Sequence, residues 1–440
     1  MILLINPKTT KPSEYQTEFF REPSLGLLYI AAVLDKYGLD VDILDLEQFS
    51  DLNDISLRDL IIENIKDKTI IGITSLTNTF NLVLRIVDII KNYSDEKFIV
   101  LGGPHVSFLY KEILHSKKNI DYICIGEAEE SFLQLTQFLL EFNRKKPMFY
   151  ESKIQGIKGL AFINSNGKLI FTGHPDPIDL ERIPPPARYK LKNSFNYYKV
   201  ANIIINRGCP YQCSFCSRQN LFKQVRIRSI DSILSEIRDI ISYQNYDYIN
   251  FYDNINITRE FFKKFLNMFI ENNINIPWGC ELRVDNITED EAYFLKKAGC
   301  CLVATGIESA SIKILKQNLK YQNPDDVRKG IISLKKYKIP IQAYFVLGLP
   351  GETNETFKET IEYIKNLPFN RDDKINYFIA TPYPGSRLWE KKEEFNIKII
   401  ENDFTKYDCQ HIIFETPDLN KDLLQVLYQK AKDIELNFKN

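Results

Sequence analysis

Short apolar runs alternate with amphipathic stretches over the first third of the chain. The runs have the length of buried strands, and the stretches between them place apolar residues three and four positions apart, as on one face of a helix. Nearly continuous apolar strands separated by helices indicate a parallel sheet covered on both faces. We therefore expect residues 1–142 to form a doubly wound, Rossmann-like α/β domain with its ligand at the carboxyl ends of the strands. The predicted strands are Ile2–Ile5, Val41–Leu44, Ile70–Thr74, Ile99–Leu101 and Tyr122–Ile125, and the predicted helices are Leu25–Tyr37, Phe80–Tyr93 and Glu129–Phe142.

A second series of strand and helix patterns occupies residues 201–385. It contains six strands, fewer than the eight of a closed barrel, so the sequence predicts a partial, TIM-like (β/α)6 barrel. The predicted strands are Ala201–Asn206, Tyr248–Tyr252, Trp278–Leu282, Leu302–Gly306, Gln342–Leu347 and Asn376–Thr381. The predicted helices are Ile230–Ser242, Phe261–Glu271, Glu289–Ala298, Pro324–Tyr337 and Glu355–Leu367.

Two segments break this rhythm. Residues 143–200 contain a predicted hairpin around Asn166-Gly167, and then a stretch with five prolines between His174 and Leu191 that indicates a stiff linker. Residues 386–440 are polar and predict a carboxy-terminal helical region. The sequence thus predicts two α/β domains, a linker and a short tail.

Charge and cysteine content narrow the functional class. The chain has 57 basic and 58 acidic residues, a net charge of −1, so we expect no binding to nucleic acid or to anionic lipid. Met1–Asn6 is too short for a secretory signal, and no other apolar run reaches the roughly 18 residues of a membrane span, so we expect a cytoplasmic protein. Eight cysteines in 440 residues are too few for a disulfide scaffold.

Three of the eight cysteines, Cys209, Cys213 and Cys216, lie in one short segment after the first strand of the predicted barrel. Three thiolates at this spacing can ligate three irons of a [4Fe-4S] cluster, and the fourth iron stays open for a ligand. Structural zinc is an alternative, but it needs four ligands, and the next cysteine, Cys280, is far along the chain. A zinc-stabilised binding protein and incidental thiols therefore remain the rival interpretations.

The motif Cys-x-x-x-Cys-x-x-Cys, with Phe215 before the last cysteine, resembles that of the radical S-adenosylmethionine (SAM) superfamily. The resemblance implies a six-stranded partial barrel whose open iron binds the amine and carboxylate of SAM. Three later segments, each at a strand end, are similar to SAM-binding segments of that family, although each alone is also an ordinary turn. They imply a set of cofactor-binding residues: Gly306, Glu308 and Ser309, then Gly348 and Gly351, then Thr381.

Further polar residues end the second and third predicted strands. Glu281, Arg283 and Asp285 alternate with apolar residues and are expected to share one strand face in the barrel mouth. The arginine fork suits a carboxylate, so Arg283 is a predicted cofactor ligand, as is Asp253. The alternative is that both are solvated strand ends.

In the amino-terminal domain, the segments Pro23–Tyr29, Gly102–His105 and Gly126–Glu129 resemble the cobalamin-binding domain found ahead of a radical SAM core. The glycines let a bulky nucleotide tail lie close to the backbone. The resemblance implies a ring of cofactor-binding residues: Gly102, Gly103, His105, Gly126 and Glu127, with Ser75, Leu76 and Asn78 from the loop after the third strand.

The sequence departs from the cobalamin pattern in one place. The loop after the first strand, Asn6–Thr10, lacks the histidine that ligates cobalt in many cobalamin proteins, and no histidine precedes His105. Bound cobalamin is therefore expected to be base-off, without a histidine ligand from the first loop, and the Thr74–Asn78 loop is its expected lower neighbour. A domain that has lost cobalamin is the alternative.

Together, the resemblances imply a cobalamin-dependent radical SAM methyltransferase. It would act on an unactivated carbon or a phosphinate phosphorus of a small molecule, through a 5′-deoxyadenosyl radical and methylcobalamin. An electron donor such as flavodoxin or ferredoxin is implied as partner, and no catalytic side chain is predicted. Cyclisation or ring rearrangement without methyl transfer is the alternative within the same family.

Overall fold

The computed structural model describes residues 1–9, 21–49, 52–141, 151–192, 197–242 and 246–439, except for the side chains of residues 253 and 436–439. The chain divides into two compact units. The amino-terminal unit contains Met1–Tyr197 and the short segment Asn220–Gln224. The carboxy-terminal unit contains Tyr198–Gln219 and Val225–Asn440.

A seven-stranded sheet forms the centre of the amino-terminal unit. Its strands are β1 Ile2–Asn6, β2 Val41–Asp45, β3 Ile70–Thr74, β4 Phe98–Gly102, β5 Tyr122–Cys124, β6 Leu160–Ile163 and β7 Leu169–Phe171. The first five are parallel, in the order β2-β1-β3-β4-β5. The predicted hairpin is β6–β7, and it extends this sheet because β6 pairs antiparallel with β5.

The strand order places a topological switch point between β1 and β3. Strand β1 lies between β2 and β3, so the connections after β1 and after β3 leave the sheet in opposite directions. In a doubly wound sheet this crevice, at the carboxyl edge, is where ligands bind. A ligand of this unit is therefore expected at the carboxyl edge, where the loops after β3, β4 and β5 lie.

Five helices of the amino-terminal unit flank the sheet: Leu25–Lys36, Asp54–Ile65, Phe80–Tyr93, Pro104–Ser116 and Glu129–Glu141. Three of them agree with the predicted helices. Asp54–Ile65 was not predicted, although Leu57, Ile61 and Ile65 are buried at four-residue spacing and Asn53 caps its first turn. Pro104–Ser116 was not predicted either, because the two glycines before Pro104 are typical of a turn.

A six-stranded parallel sheet forms the carboxy-terminal unit, in the order β15-β14-β13-β12-β11-β8. The strands follow each other along the chain, which confirms the predicted (β/α)6 arrangement. They are β8 Val200–Ile204, β11 Tyr248–Asn254, β12 Trp278–Glu281, β13 Cys300–Glu308, β14 Ile341–Leu347 and β15 Lys374–Ile379. Two short pairs, β9 Asn206–Arg207 with β10 Arg226–Ile227 and β16 Lys398–Ile399 with β17 Phe414–Glu415, are antiparallel.

Helices follow the strands of this sheet, and their apolar faces bury its outer surface. Phe251, Phe265, Phe269 and Trp278 pack there with ring centroids 4.7 to 5.8 Å apart. The helices are Ile230–Ser242, Arg259–Glu271, Glu289–Lys297, Ile312–Gln317, Pro324–Lys336, Asn354–Lys365, Arg387–Glu390 and Lys421–Lys439, with a short turn at Arg218–Leu221. The predicted helical tail is thus partly wrong, because β16 and β17 lie within it. Among the described residues, no helix is long and apolar enough to cross a membrane.

Candidate active site

The three clustered cysteines lie on the loop after β9. All three thiols are free; Cys209 and Cys213 are half-buried and Cys216 is exposed. Gly208 has φ +88°, a backbone conformation that glycine adopts without strain, and it turns the chain into this loop. In the part of the chain that the structure describes, no three His, Cys, Asp or Glu side chains converge on a single-ion site.

Ser214 anchors the cysteine loop from inside. It is fully buried; its N–H donates to Asn318 O at 2.9 Å, and its Oγ donates to Asn318 Oδ1 at 3.0 Å. Asn318 Nδ2 in turn donates to Pro350 O at 3.0 Å, and Leu388 N–H donates to Ser214 O at 2.9 Å. These buried bonds join the cysteine loop to the segments after β13, β14 and β15. Sequence reasoning missed both Ser214 and Asn318, because they are far apart in the chain.

A buried ion pair lies beside the cysteine loop. Lys320 Nζ is 2.8 Å from Glu308 Oε1, and the two residues are 9% and 7% exposed. Glu308 has φ +64°, so the chain is held in a left-handed conformation where β13 ends. Burial raises the pKa of Cys213 to about 11, and the nearby Lys320 ammonium opposes this rise. Because metals bind the thiolate, Lys320 supplies charge that favours ligation. The sequence pattern pointed to Glu308 but not to Lys320.

Arg283 also contacts the cysteine loop, through the ring of Tyr211. Its Nε and Nη2 donate to the Asp285 carboxylate at 3.0 and 2.6 Å, and Nη2 also donates to Tyr321 O at 2.8 Å. Its guanidinium stacks 4.1 Å from the ring centroid of Tyr211, which lies between Cys209 and Cys213. The prediction that Glu281, Arg283 and Asp285 share one strand face is wrong, because β12 ends at Glu281 and the chain turns at Arg283. Arg283 thus has two donors already bound within the protein.

The turn after β14 requires its glycines. Gly348 and Gly351 have φ +82° and +85°, and a Cβ on Gly351 would lie 2.1 Å from Gln317 Oε1. Glu352 closes the turn, since its carboxylate accepts a hydrogen bond from Gly348 N–H at 2.5 Å. Both positions therefore require glycine, because of the positive φ and because neighbouring side chains pack closely against the backbone.

The other predicted SAM-site residues differ in what they can offer a ligand. Ser309 and Thr381 are buried, and their hydroxyls bond within the protein, to Thr360 Oγ1 at 3.2 Å and to Ile379 O at 3.1 Å. Phe215 packs on a small apolar cluster around Leu388. At Gly306 a Cβ would meet Glu308 Oε1 at 2.3 Å. Asp253 belongs to β11, and its side chain is outside the described residues.

In the amino-terminal unit, hydrogen bonds tie together the loops after β3, β4 and β5. Ser75 N–H donates to Gly102 O at 2.8 Å, and His105 N–H donates to Ser75 O at 3.2 Å. Ser107 joins the other two loops, because its Oγ donates to Gly103 O at 2.8 Å and accepts from Gly126 N–H at 2.9 Å. Ser107 was not among the residues predicted from the sequence. The three loops form one rigid edge at the switch point.

This edge offers bare backbone to a ligand. A Cβ on Gly103, which has φ +97°, would lie 2.7 Å from Ser75 O, whereas a Cβ on Gly102 would meet no atom within 4 Å. Gly126 has φ +69° and is half-buried. An open, side-chain-free edge of this kind fits the close approach of a large cofactor.

Most of the side chains around that edge are buried or half-buried within the protein. His105 is 1% exposed, its ring centroid is 4.3 Å from that of Phe80, and Nδ1 is 3.3 Å from Thr77 Oγ1. Burial lowers the pKa of His105 to about 4, so the ring is neutral at physiological pH. Ser75 and Glu127 are buried and Asn78 is half-buried, but Leu76 is 46% exposed.

The loop after β1 is held by its neighbours. Asn6 Nδ2 donates to Asp45 Oδ1 at 2.8 Å, and Thr9 N–H donates to Glu47 Oε1 at 2.8 Å. Residues 6–9 contain no histidine, and Thr10 lies outside the described residues. Among the described residues of the two loops at the switch point, the exposed apolar side chain is that of Leu76, in the loop after β3.

Two protein-family models match the chain: the B12 binding domain at residues 19–136 and the radical SAM superfamily at residues 203–364. An uncharacterized methyltransferase of Pyrococcus horikoshii is 30% identical over 426 residues, which cover 93% of this chain and 86% of that protein. An anaerobic magnesium-protoporphyrin IX monomethyl ester cyclase of Rubrivivax gelatinosus is 28% identical over 91% of this chain and 70% of its own length.

Solved structures share the fold of the whole chain. The radical SAM methyltransferase TsrM of Kitasatospora setae, with cobalamin and a [4Fe-4S] cluster bound, matches with a TM-score of 0.76 at 17% identity and covers 99% of this chain and 92% of its own. OxsB, a cobalamin-dependent SAM radical enzyme, matches with a TM-score of 0.76 at 16% identity, over 99% of this chain and 67% of its own. These matches confirm the predicted order of two α/β folds.

Proposed function

The chain belongs to the radical SAM enzymes that carry an amino-terminal B12-binding domain, and on this basis we propose that it is a methyltransferase for a small molecule. One observation carries the proposal: the two domains occur in one chain that matches a methyltransferase over 93% of its length. The acceptor in this proposal is an unactivated carbon or a phosphinate phosphorus. A methyltransferase of Streptomyces wedmorensis that is named for a cytidylyl-2-hydroxyethylphosphonate substrate is 25% identical to this chain and supports that class.

In this proposal, Cys209, Cys213 and Cys216 hold a [4Fe-4S] cluster. Glu308 and Lys320 lie beside SAM, and the turn containing Gly348 and Gly351 supports its adenine. Ser214 and Asn318 fix the cysteine loop, so that the position of the cluster relative to SAM is constant. When bound, the cluster and cobalamin supply the electron-transfer and methyl-carrying chemistry, while the protein orients the reacting groups and excludes water.

Base-off cobalamin, in the same proposal, binds at the carboxyl edge of the amino-terminal sheet. Ser75, Gly102, Gly103 and Gly126 offer backbone against which its tail can lie, and Ser107 holds their loops together. The remaining predicted residues, His105, Glu127, Asn78 and Leu76, surround that edge, and buried His105 acts as packing for the loop. Asp253, Arg283, Ser309, Thr381 and Phe215 stay proposed members of the SAM site, and the internal bonds of Arg283, Ser309 and Thr381 favour positioning roles.

The proposal is tested by anaerobic reconstitution with iron, sulfide and hydroxocobalamin. With a reductant and methyl-labelled SAM, we expect 5′-deoxyadenosine, S-adenosylhomocysteine and a labelled product from candidate acceptors. The Cys213→Ala variant is the control, and it should form none of the three. Formation of 5′-deoxyadenosine without label in any product would contradict methyl transfer.

Cyclisation without methyl transfer is a second candidate, and the cyclase of Rubrivivax gelatinosus, 28% identical, favours it. The two functions differ in mass balance. Methyl transfer adds the labelled methyl group to the substrate, whereas cyclisation changes the substrate by its hydrogen or oxygen content alone. Mass spectrometry of the products therefore separates the candidates in the same experiment.

A one-electron donor such as flavodoxin or ferredoxin, and a cytoplasmic location, belong to the same proposal. A cluster must be reduced before it acts, and a one-electron donor supplies that electron. None of the eight cysteines is in a disulfide, which agrees with a reducing compartment. Reduction of the cluster by purified flavodoxin, followed spectroscopically, tests the donor.

A further inference from the structure

Gln322 carries a buried side-chain amide that lacks a hydrogen-bond partner in the described part of the chain. The residue is 8% exposed, and neither Nε2 nor Oε1 has a hydrogen-bond partner among the residues that the structure describes. A primary amide offers two donors and two acceptor sites, and burying them unpaired is unfavourable. Since buried polar groups in native proteins are nearly always paired, this amide points to a partner from outside the chain.

The amide lies on the inner side of the segment that joins helix Ile312–Gln317 to helix Pro324–Lys336. Exposure alternates along this segment: Lys320 is 9%, Tyr321 65% and Gln322 8% exposed. Lys320 and Gln322 therefore face inward together, while Tyr321 faces solvent. The Tyr321 carbonyl is bonded to Arg283 at 2.8 Å, which fixes the backbone between the two inward side chains.

The inner side of this segment is where Lys320 meets Glu308 at 2.8 Å. The two form a buried pair of opposite charges next to Cys213, and Gln322 adds an uncharged group that both donates and accepts. An α-amino acid carries the complementary set: an ammonium that donates and a carboxylate that accepts.

We propose that Gln322 hydrogen-bonds the α-amino-acid end of SAM and thereby sets the affinity for that end of the molecule. The proposal rests on the proposed function, because it takes SAM as the ligand of this site. Gln322 Oε1 accepts from the ammonium or Nε2 donates to the carboxylate, beside the charges of Glu308 and Lys320. Gln322 is a binding residue here, and it takes no part in bond making or breaking.

The test uses Gln322→Met, which keeps the length of the side chain and removes both polar atoms. In the reconstituted protein, we expect the Kd for SAM to rise about tenfold, the cost of one or two lost hydrogen bonds. The Kd for 5′-methylthioadenosine, which lacks the amino-acid end, should not change. The melting temperature without ligand should stay the same or rise, because the variant no longer buries an unpaired amide.

Gln342→Met is the matched control. Its amide is satisfied, since Nε2 donates to Asn376 Oδ1 at 3.0 Å near the start of β14, far along the strand from the turn at Gly348. This control should lower the melting temperature and leave the Kd for SAM unchanged. Gln322→Glu provides a second variant, which keeps the acceptor and removes the donors: it should weaken SAM binding where Nε2 donates to the carboxylate and preserve it where Oε1 accepts from the ammonium.

Three results would overturn the proposal. One is an unchanged Kd for SAM in Gln322→Met, and another is an equal loss of affinity for SAM and 5′-methylthioadenosine, which would move the contact to the nucleoside. The third is a lower melting temperature with unchanged affinity, which would mean that the amide bonds within the protein. All three leave methyl transfer by the wild type intact, whereas failure of the wild type to form 5′-deoxyadenosine would contradict the proposed function instead.

Discussion

Leu76 projects an apolar side chain from the loop after β3, between the buried residues Ser75 and Thr77. This loop borders the switch point of the sheet, where the centre of a bound cofactor is expected. An isobutyl group has no lone pair for cobalt. We therefore predict that Leu76→His adds a nitrogen ligand to bound cobalamin, and that the electron paramagnetic resonance spectrum of the Co(II) form gains nitrogen hyperfine splitting that the wild type lacks.

Two further variants make this prediction specific. Tyr93→His places a histidine at the other end of helix Phe80–Tyr93, on an exposed position, and should leave the spectrum unchanged. Leu76→Val keeps the position apolar and should also behave as the wild type. A wild-type spectrum from Leu76→His would show that Leu76 is not beneath the cobalt.

Glu352 links the turn after β14 to the pH dependence of stability. Its carboxyl group is 1% exposed, and burial raises its pKa to about 8 from the ordinary value of 4.5 for a glutamate. The folded state therefore holds a proton that the unfolded state has lost, so this stabilisation is complete below about pH 4.5 and is lost as the pH rises through about 8. The loss amounts to at most roughly 5 kcal/mol.

The matched variant is Glu352→Gln, which can still accept from Gly348 N–H but does not titrate. We predict that the free energy of unfolding of the wild type falls relative to that of Glu352→Gln between pH 5 and pH 8. Urea denaturation of both proteins at four pH values across this range measures the difference. Parallel profiles would contradict a raised pKa for Glu352.

Among the elements, helix Pro104–Ser116 has a role beyond packing, because Ser107 on its first turns joins the loops after β4 and β5. Ser107→Ala removes both bonds and leaves Gly126 N–H without that partner. We predict that the variant loses cobalamin severalfold more readily during gel filtration than the wild type, at a stability cost of about 1–2 kcal/mol. The absorbance ratio of cobalamin to protein measures the retention.

Ser116 is the control for this prediction, since it lies at the other end of the same helix and its Oγ donates to Glu112 O at 2.8 Å. Ser116→Ala removes a serine hydroxyl from the helix but leaves the cofactor edge intact, and it should retain cobalamin as the wild type does. Equal retention by both variants would mean that Ser107 does not organise the cofactor edge.

Helices and strands with a strong hydrophobic periodicity could be predicted from the sequence, but the residues at which they end were harder to predict. Strand β14, Ile341–Leu347, follows the predicted strand to within one residue because every second residue faces a large apolar core. Strand β12 ends at Glu281, one residue before the predicted end, and a short helical turn at Val284–Asn286 follows it although the alternation of apolar residues continues through Leu282 and Val284. A helix that starts at Pro104 after two glycines has a local sequence typical of a turn.

The residues of the candidate site likewise fall into those that could be predicted from the sequence and those that could not. The cysteine motif is local, so its spacing could be recognised in the sequence. Ser214 and Asn318 make their bond across 104 residues, and Lys320 meets Glu308 only because β13 and the following helix bring the chain back. Such pairs depend on tertiary contacts, and a single sequence does not encode them in any spacing.

At the scale of the whole molecule, the two compact units correspond to two different family models, the B12 binding domain and the radical SAM superfamily, so the two proposed cofactor sites lie in different units. A ligand that binds only the folded form of a unit stabilises it by mass action, by about 2.7 kcal/mol at a concentration one hundred times Kd. A chain with two such units need not unfold in one step. We therefore predict two calorimetric transitions, of which hydroxocobalamin raises one and cluster reconstitution raises the other.

The two transitions can be assigned with variants already described. Ser107→Ala should lower the transition that hydroxocobalamin raises, and Glu352→Gln should alter the one that the cluster raises, since these residues belong to different units. Removal of iron by an anaerobic chelator should reverse the cluster effect alone, because iron stabilises only the folded form of the unit that contains the three cysteines. If either ligand shifted both transitions equally, the units would be one cooperative block, and the cofactor sites would be thermodynamically coupled.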